Sequence, residues 1–69
     1  MVEVFKTNVE QTEEAELLLR FFAEYFPEYK INFDLSDCDR ILRVEGDDII
    51  LHNIIEVLHK KNYQCAILE

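Results

Sequence analysis

Three groups of side chains in this sequence could do chemistry: the thiols Cys38 and Cys65, the carboxylates Asp34, Asp37 and Asp39 around the first of them, and His52, Glu56 and His59. The two cysteines are too few and too far apart for a disulfide framework or a two-thiol clamp within one loop. Both are expected to remain thiols in a reducing compartment. Cys38 lies between two aspartates, whose negative charge works against a thiolate nucleophile. As a lone soft ligand it could at most bridge two molecules around a metal. The three aspartates suggest calcium, yet the glycine and closing glutamate of an EF-hand loop are missing from their required places. His52, Glu56 and His59 share one side of a helix, but residues seven apart are about 10 Å apart along the axis. One ion does not span them, and a solvated face is the simpler reading. No Ser/His/Asp set, no neighbouring Cys/His pair and no glycine-rich phosphate loop is present, so catalysis is not expected.

Charge and composition narrow the function further. The 69 residues allow one domain, 1–69, and carry a formal net charge of -8. That charge repels a phosphate backbone, which argues against nucleic acid as a partner. A hydrophobic share of 49% with one Gly and one Pro belongs to a packed globule rather than a disordered segment. No apolar run of about eighteen residues occurs, so no membrane span is expected. The start, Met1-Val2-Glu3-Val4-Phe5-Lys6, has neither the basic opening nor the apolar stretch of a signal peptide, so a cytoplasmic location is expected.

The elements that must position these groups are legible from periodicity. Residues 1–9 alternate and are rich in β-branched and aromatic types, as a strand requires. Asn8 or Thr12 could cap the following helix, with Glu13 and Glu14 at the end where the helix dipole favours negative charge. Ala15, Leu18, Leu19, Phe22 and Phe26 form its buried stripe, and Pro27 ends it. Ile31, Phe33 and Leu35 alternate with polar residues, and after the turn residues 36–39 a strand follows over 41–45, giving a hairpin. Gly46, Asp47 and Asp48 are expected to close that strand and cap a second helix, whose core stripe is Leu51, Ile54, Ile55 and Leu58. Asn62 is expected as its left-handed stop, and residues 63–68 as a final strand. The order βαββαβ with right-handed crossovers predicts an α+β, ferredoxin-like sandwich. Its four-stranded antiparallel sheet runs 4-1-3-2 with two helices on one face. That topology gathers Asn8, Val9, Gln11, Glu14, Cys38 and Asn62 at one end.

The segment Phe5-Lys6-Thr7-Asn8-Val9 leading into a helix resembles the entry to the metal loop of the heavy-metal-associated, copper-chaperone-like domains. Residues 34–46 look like that family's second hairpin, and Lys61-Asn62-Tyr63-Gln64-Cys65 like its approach to the last strand. The family binds Cu(I) or another soft metal through Cys-x-x-Cys at the loop–helix junction. The matching positions here hold Gln11 and Glu14, hard oxygen donors that do not hold Cu(I) tightly. The resemblance implies the family's scaffold without its metal clamp, with Gln11, Glu14 and Cys38 as weak candidate ligands and no cofactor.

A different surface is the better candidate for function. With Ile31, Phe33, Leu35, Leu42, Val44, Tyr63, Cys65 and Ile67 turned towards the helices, the other sheet face carries Ile41, Arg43, Ala66 and Leu68. Strand 1 adds either Val2, Val4 and Lys6 or Glu3, Phe5 and Thr7; alternation alone does not choose. The first option makes a contiguous apolar patch, the kind of surface that marks interaction sites. The expected function is a small non-enzymatic binding module that docks to a protein partner or to itself. Its acidic surface would steer it towards a basic partner. The alternatives are an atypical metal-binding protein using oxygen ligands or Cys38 and, less favoured, an acylphosphatase-like enzyme, whose phosphate cradle the acidic entry at Asn8-Val9-Glu10-Gln11 does not supply.

Overall fold

A computed structural model describes residues 1–68. In chain order the elements are β1 (Val2–Thr7), α1 (Thr12–Tyr25), β2 (Lys30–Asp34), β3 (Ile41–Glu45), α2 (Leu51–Lys60) and β4 (Cys65–Ile67). The four strands form one open antiparallel sheet in the order β2-β3-β1-β4, with the two helices packed on it.

Strand facing follows from where the largest side chain can be buried. Phe5 is fully buried against Leu42, its partner across the β1–β3 ladder. Opposed residues of an antiparallel pair share a face, so Glu3, Phe5 and Thr7 point to the helices and Val2, Val4 and Lys6 away from them. Leu42 and Val44 of β3 and Cys65 of β4 complete the sheet side of the core. Ala15, Leu18 and Phe22 of α1 and Ile54 and Leu58 of α2 close it from the helix side, and Val9 plugs it from the β1–α1 link. Cys65 is 7% exposed, and burial pushes its thiol up to about 12. It is a small core residue rather than a reactive one. Cys38 is exposed and free, and it sits in the β2–β3 turn, at the opposite sheet edge from β4.

The helix starts differ from expectation. α1 is capped at Gln11, not at Asn8 or Thr12. Asn8 is drawn elsewhere: its Oδ1 accepts a hydrogen bond from the Gln64 N–H at 2.8 Å. Asp47 and Asp48 do not cap α2, which begins after Ile50 with no side-chain cap. Asp48 instead turns the chain with a φ of 49°, and its carbonyl accepts the Tyr29 hydroxyl at 3.0 Å. Asn62 does adopt the left-handed conformation, with a φ of 70°, and the N–H of Tyr63 then returns to the carbonyl of Leu58 at 2.9 Å. β4 is shorter than the alternation of residues 63–68 suggests. Tyr63 and Gln64 are held by Leu58 and Asn8 instead of entering the ladder.

Candidate functional site

The loop end is built around the last residue of β1. Thr7 donates its N–H to the Asp39 carbonyl at 3.1 Å and its hydroxyl to the Arg40 carbonyl at 2.7 Å. The same hydroxyl oxygen accepts the Val9 N–H at 3.2 Å. One threonine thus ties the β2–β3 turn to the entry of α1. Arg40 reaches its φ of 48° with its guanidinium folded back onto the Leu35 and Asp37 carbonyls, each 3.2 Å away.

The two positions that a metal loop would use are already employed. Glu14 Oε1 accepts the Gln11 N–H at 3.2 Å, the reciprocal half of a capping box. Its other oxygen, Oε2, accepts the Tyr63 hydroxyl at 2.8 Å, across 49 positions of sequence. Gln11 and Glu14 therefore seat α1 and clasp the α2–β4 link. Cys38 is brought to the same end of the fold. Its sulfur and carboxylate oxygens of Asp37 and Asp39 lie within 4.8 Å of one another. All three are turn residues, and one Asp37 oxygen already accepts the Asp39 N–H at 2.9 Å. Asp34 is likewise engaged with Ser36, so it serves its own turn.

The Glu14 hydrogen bond raises the affinity of Tyr63 for its proton, with burial and the carboxylate charge adding to the effect. A group whose proton is held more tightly in the folded state stabilises it fully below the unfolded pKa. That contribution is lost as pH rises through the folded value. Tyr63→Phe is expected to lower stability by about 1 kcal/mol at neutral pH. The gap from the parent should close as pH rises beyond 10, the ordinary tyrosine value. Thermal melts of both proteins between pH 7 and pH 11 check this, and a gap that persists unchanged would mean that the hydroxyl is not held by Glu14.

His52 and Glu56 do meet, at 3.1 Å, and Lys60 joins the same carboxylate at 3.1 Å. The lysine holds the Glu56 carboxyl below its usual range, first by its hydrogen bond and then by its charge. His59 takes no part and lies beside Lys6, Gln64 and Cys65 instead. This is an exposed ladder of i, i+4 contacts along α2, of the kind that a solvated helix face carries. Glu56 and Lys60 also line a second feature of the helix layer. There an open groove of about 390 Å³ runs between the end of α1 and α2, lined by Tyr25, Phe26, Asn53 and Val57 with Lys60 and Lys61 at its rim. Lys61 Nζ stands 3.7 Å from the centre of the Phe21 ring. The spacing of Phe21 and Tyr25 one helical turn apart is the signal that could have marked it.

The uncovered face of the sheet collects the remaining candidates. Val2, Val4 and Lys6 of β1 lie beside Ile41, Arg43 and Glu45 of β3, through the pairs Val2↔Glu45, Val4↔Arg43 and Lys6↔Ile41. On the other side of β1, Lys6 faces Ala66, and the Leu68 N–H donates to the Val4 carbonyl at 3.0 Å. The face has two halves. Over β2 and β3 it is polar, with Lys30, Asn32 and Asp34 next to Glu45 and Arg43. The Arg43–Glu45 contact is a loose 3.5 Å. Over β1 and β4 it is apolar: Val2, Val4, Ala66 and Leu68, continued by Ile41, with Lys6 as the one charge among them. Val2 is 43% exposed and Leu68 37%.

No family model, curated protein or solved structure matches this chain. No helix among the described residues is long and apolar enough to cross a membrane.

Proposed function

We propose that this chain is a small cytoplasmic binding module with a ferredoxin-like, heavy-metal-associated scaffold. It has no Cys-x-x-Cys site and no catalytic role, and it works by docking a protein through the uncovered face of its sheet. One observation carries the reading: Val2, Val4, Ile41, Ala66 and Leu68 lie together on that face with no element among the described residues over them. Exposed contiguous apolar surface of this kind is the usual signature of an interaction site. The engagement of Gln11 and Glu14 with the helix start and Tyr63 supports the same reading, since those positions serve architecture.

A photo-crosslinking side chain at Leu68, compared with one at Leu17 on α1, tests the proposal in cells. Leu17 is 54% exposed but lies in the helix layer. Adducts of defined mass from Leu68 and none from Leu17 are expected. Equal yields from both sites, or none from Leu68, would remove the sheet face as the docking surface.

A further inference from the structure

We infer that the groove between the end of α1 and α2 is a binding site for a small aromatic carboxylate. The inference stands apart from the docking reading, which concerns the other layer of the fold. Local charge carries it. The chain as a whole holds seven Lys and Arg against fifteen Asp and Glu, yet the groove is lined by Lys60 and Lys61 with Glu56 as its one acid. Lys60 is spent on that acid, at 3.1 Å. Lys61 is not. Among the described residues it forms no ion pair, and its Nζ rests 3.7 Å from the centre of the Phe21 ring. The negative end of the α2 dipole favours a cation at this position; it does not direct the side chain across to α1, where that ring lies. An ammonium held on a ring face keeps the N–H groups on its far side for an incoming anion, and a carboxylate is the acceptor that binds them most strongly.

The rest of the groove suits a flat apolar body. Tyr25 is 55% exposed, and its ring lies nearly parallel to that of Phe21, at 18° with 6.4 Å between centres. Phe26 meets Tyr25 edge-on, at 71°. Val57 supplies apolar surface from α2. A planar ligand can therefore lie against Tyr25 with its carboxylate directed at Lys61. The volume of about 390 Å³ is at the lower end for ligand sites, which fits one or two fused rings rather than a length of polypeptide. Salt screens the net charge of -8, spread over the surface, within about 8 Å, whereas Lys61 acts on a bound carboxylate at contact.

Amide correlation spectra of the full chain, titrated with 2-naphthoate to about 10 mM, are the test. Saturable shifts centred on Tyr25, Asn53, Val57 and Lys61 are expected, with a Kd on the order of 1 mM. The uncharged 2-naphthylmethanol should bind at least about fivefold more weakly. Lys61→Gln and Tyr25→Ala, both on the surface, should each weaken 2-naphthoate by a similar factor, and Lys30→Gln on the sheet should leave it unchanged. No saturable shift in the groove, shifts centred on the sheet face instead, or equal affinity for the charged and uncharged compounds overturns the inference. So does a Lys61→Gln protein that binds 2-naphthoate as the parent does. The comparison of the two compounds needs no variant, so it decides even where a substitution disturbs the fold. None of these outcomes bears on the sheet face as a protein-docking surface.

Discussion

Phe22→Ala is expected to cause the largest loss of stability of any single truncation considered for this chain. Phe22 is fully buried, on the α1 face that meets the sheet, and its ring packs against that of Phe26 at 6.1 Å between centres. Truncating a buried phenylalanine removes its transfer free energy and leaves a cavity that the surroundings only partly fill, together about 4 kcal/mol. A domain of 69 residues has a total stability of only a few to about 10 kcal/mol. Between two-fifths and all of it would go with this one ring. The urea midpoint followed by circular dichroism should fall by at least a third. Leu17→Ala on the exposed side of the same helix should move it little, since surface changes stay within about 0.5 kcal/mol. A loss from Phe22→Ala under about 1.5 kcal/mol would mean that α1 is not seated on the sheet through this residue.

Gly46→Ala should cost about 2 kcal/mol, for a reason that has nothing to do with backbone freedom, because Gly46 does not have a positive φ. A Cβ there would stand 2.6 Å from Cδ1 of Tyr29 and 3.3 Å from its Cε1. The Tyr29 ring is not free to step aside. It stacks on Phe26 at 5.5 Å with an interplanar angle of 17°, and its hydroxyl is tied to the Asp48 carbonyl. Overpacking of this kind costs about 1–3 kcal/mol. The two positions should therefore be strongly non-additive: in a Tyr29→Ala background, Gly46→Ala should cost a few tenths of a kcal/mol at most. Additive losses in the double-variant cycle would locate the penalty in the β3–α2 backbone instead of the ring.

Tyr29 also marks the limit of what periodicity can read. The stripes of α1 and α2 and the hairpin β2–β3 were legible because burial on one face repeats at 3.6 or at 2 residues. The facing of β1 was not legible, because both of its alternating sets contain apolar residues. Phe5 decides it through its bulk, which only the inner face can hold. The caps failed for a related reason. Asn8 and Asp48 have the right chemistry for a helix start, but each sits where a long-range partner claims it: Gln64 for Asn8 and the Tyr29 hydroxyl for the Asp48 carbonyl. The Glu14–Tyr63 hydrogen bond joins residues 49 positions apart. Local pattern carries no trace of such a pairing; only the topology, which sends both to one end, hints at it. Of the loop-end candidates, Cys38 was placed in its turn from sequence, while the work done by Thr7 and Arg40 was not anticipated.

The strand order has a consequence for the way the chain is made. β1 is synthesised before both of its ladder partners: β3 begins at Ile41 and β4 at Cys65. Only the β2–β3 hairpin can pair locally, and it must wait with one edge open for a strand synthesised well before it. The segment Val2-Glu3-Val4-Phe5 is therefore without its final neighbour until Cys65–Ile67 has been added. Such late closure of distant pairs is the slow part of β-sheet folding and the interval in which nascent chains aggregate. In this chain the acidic start of α1, which follows β1 within a few residues, travels beside that exposed strand. Charged residues flanking an apolar strand are the usual guard against its aggregation.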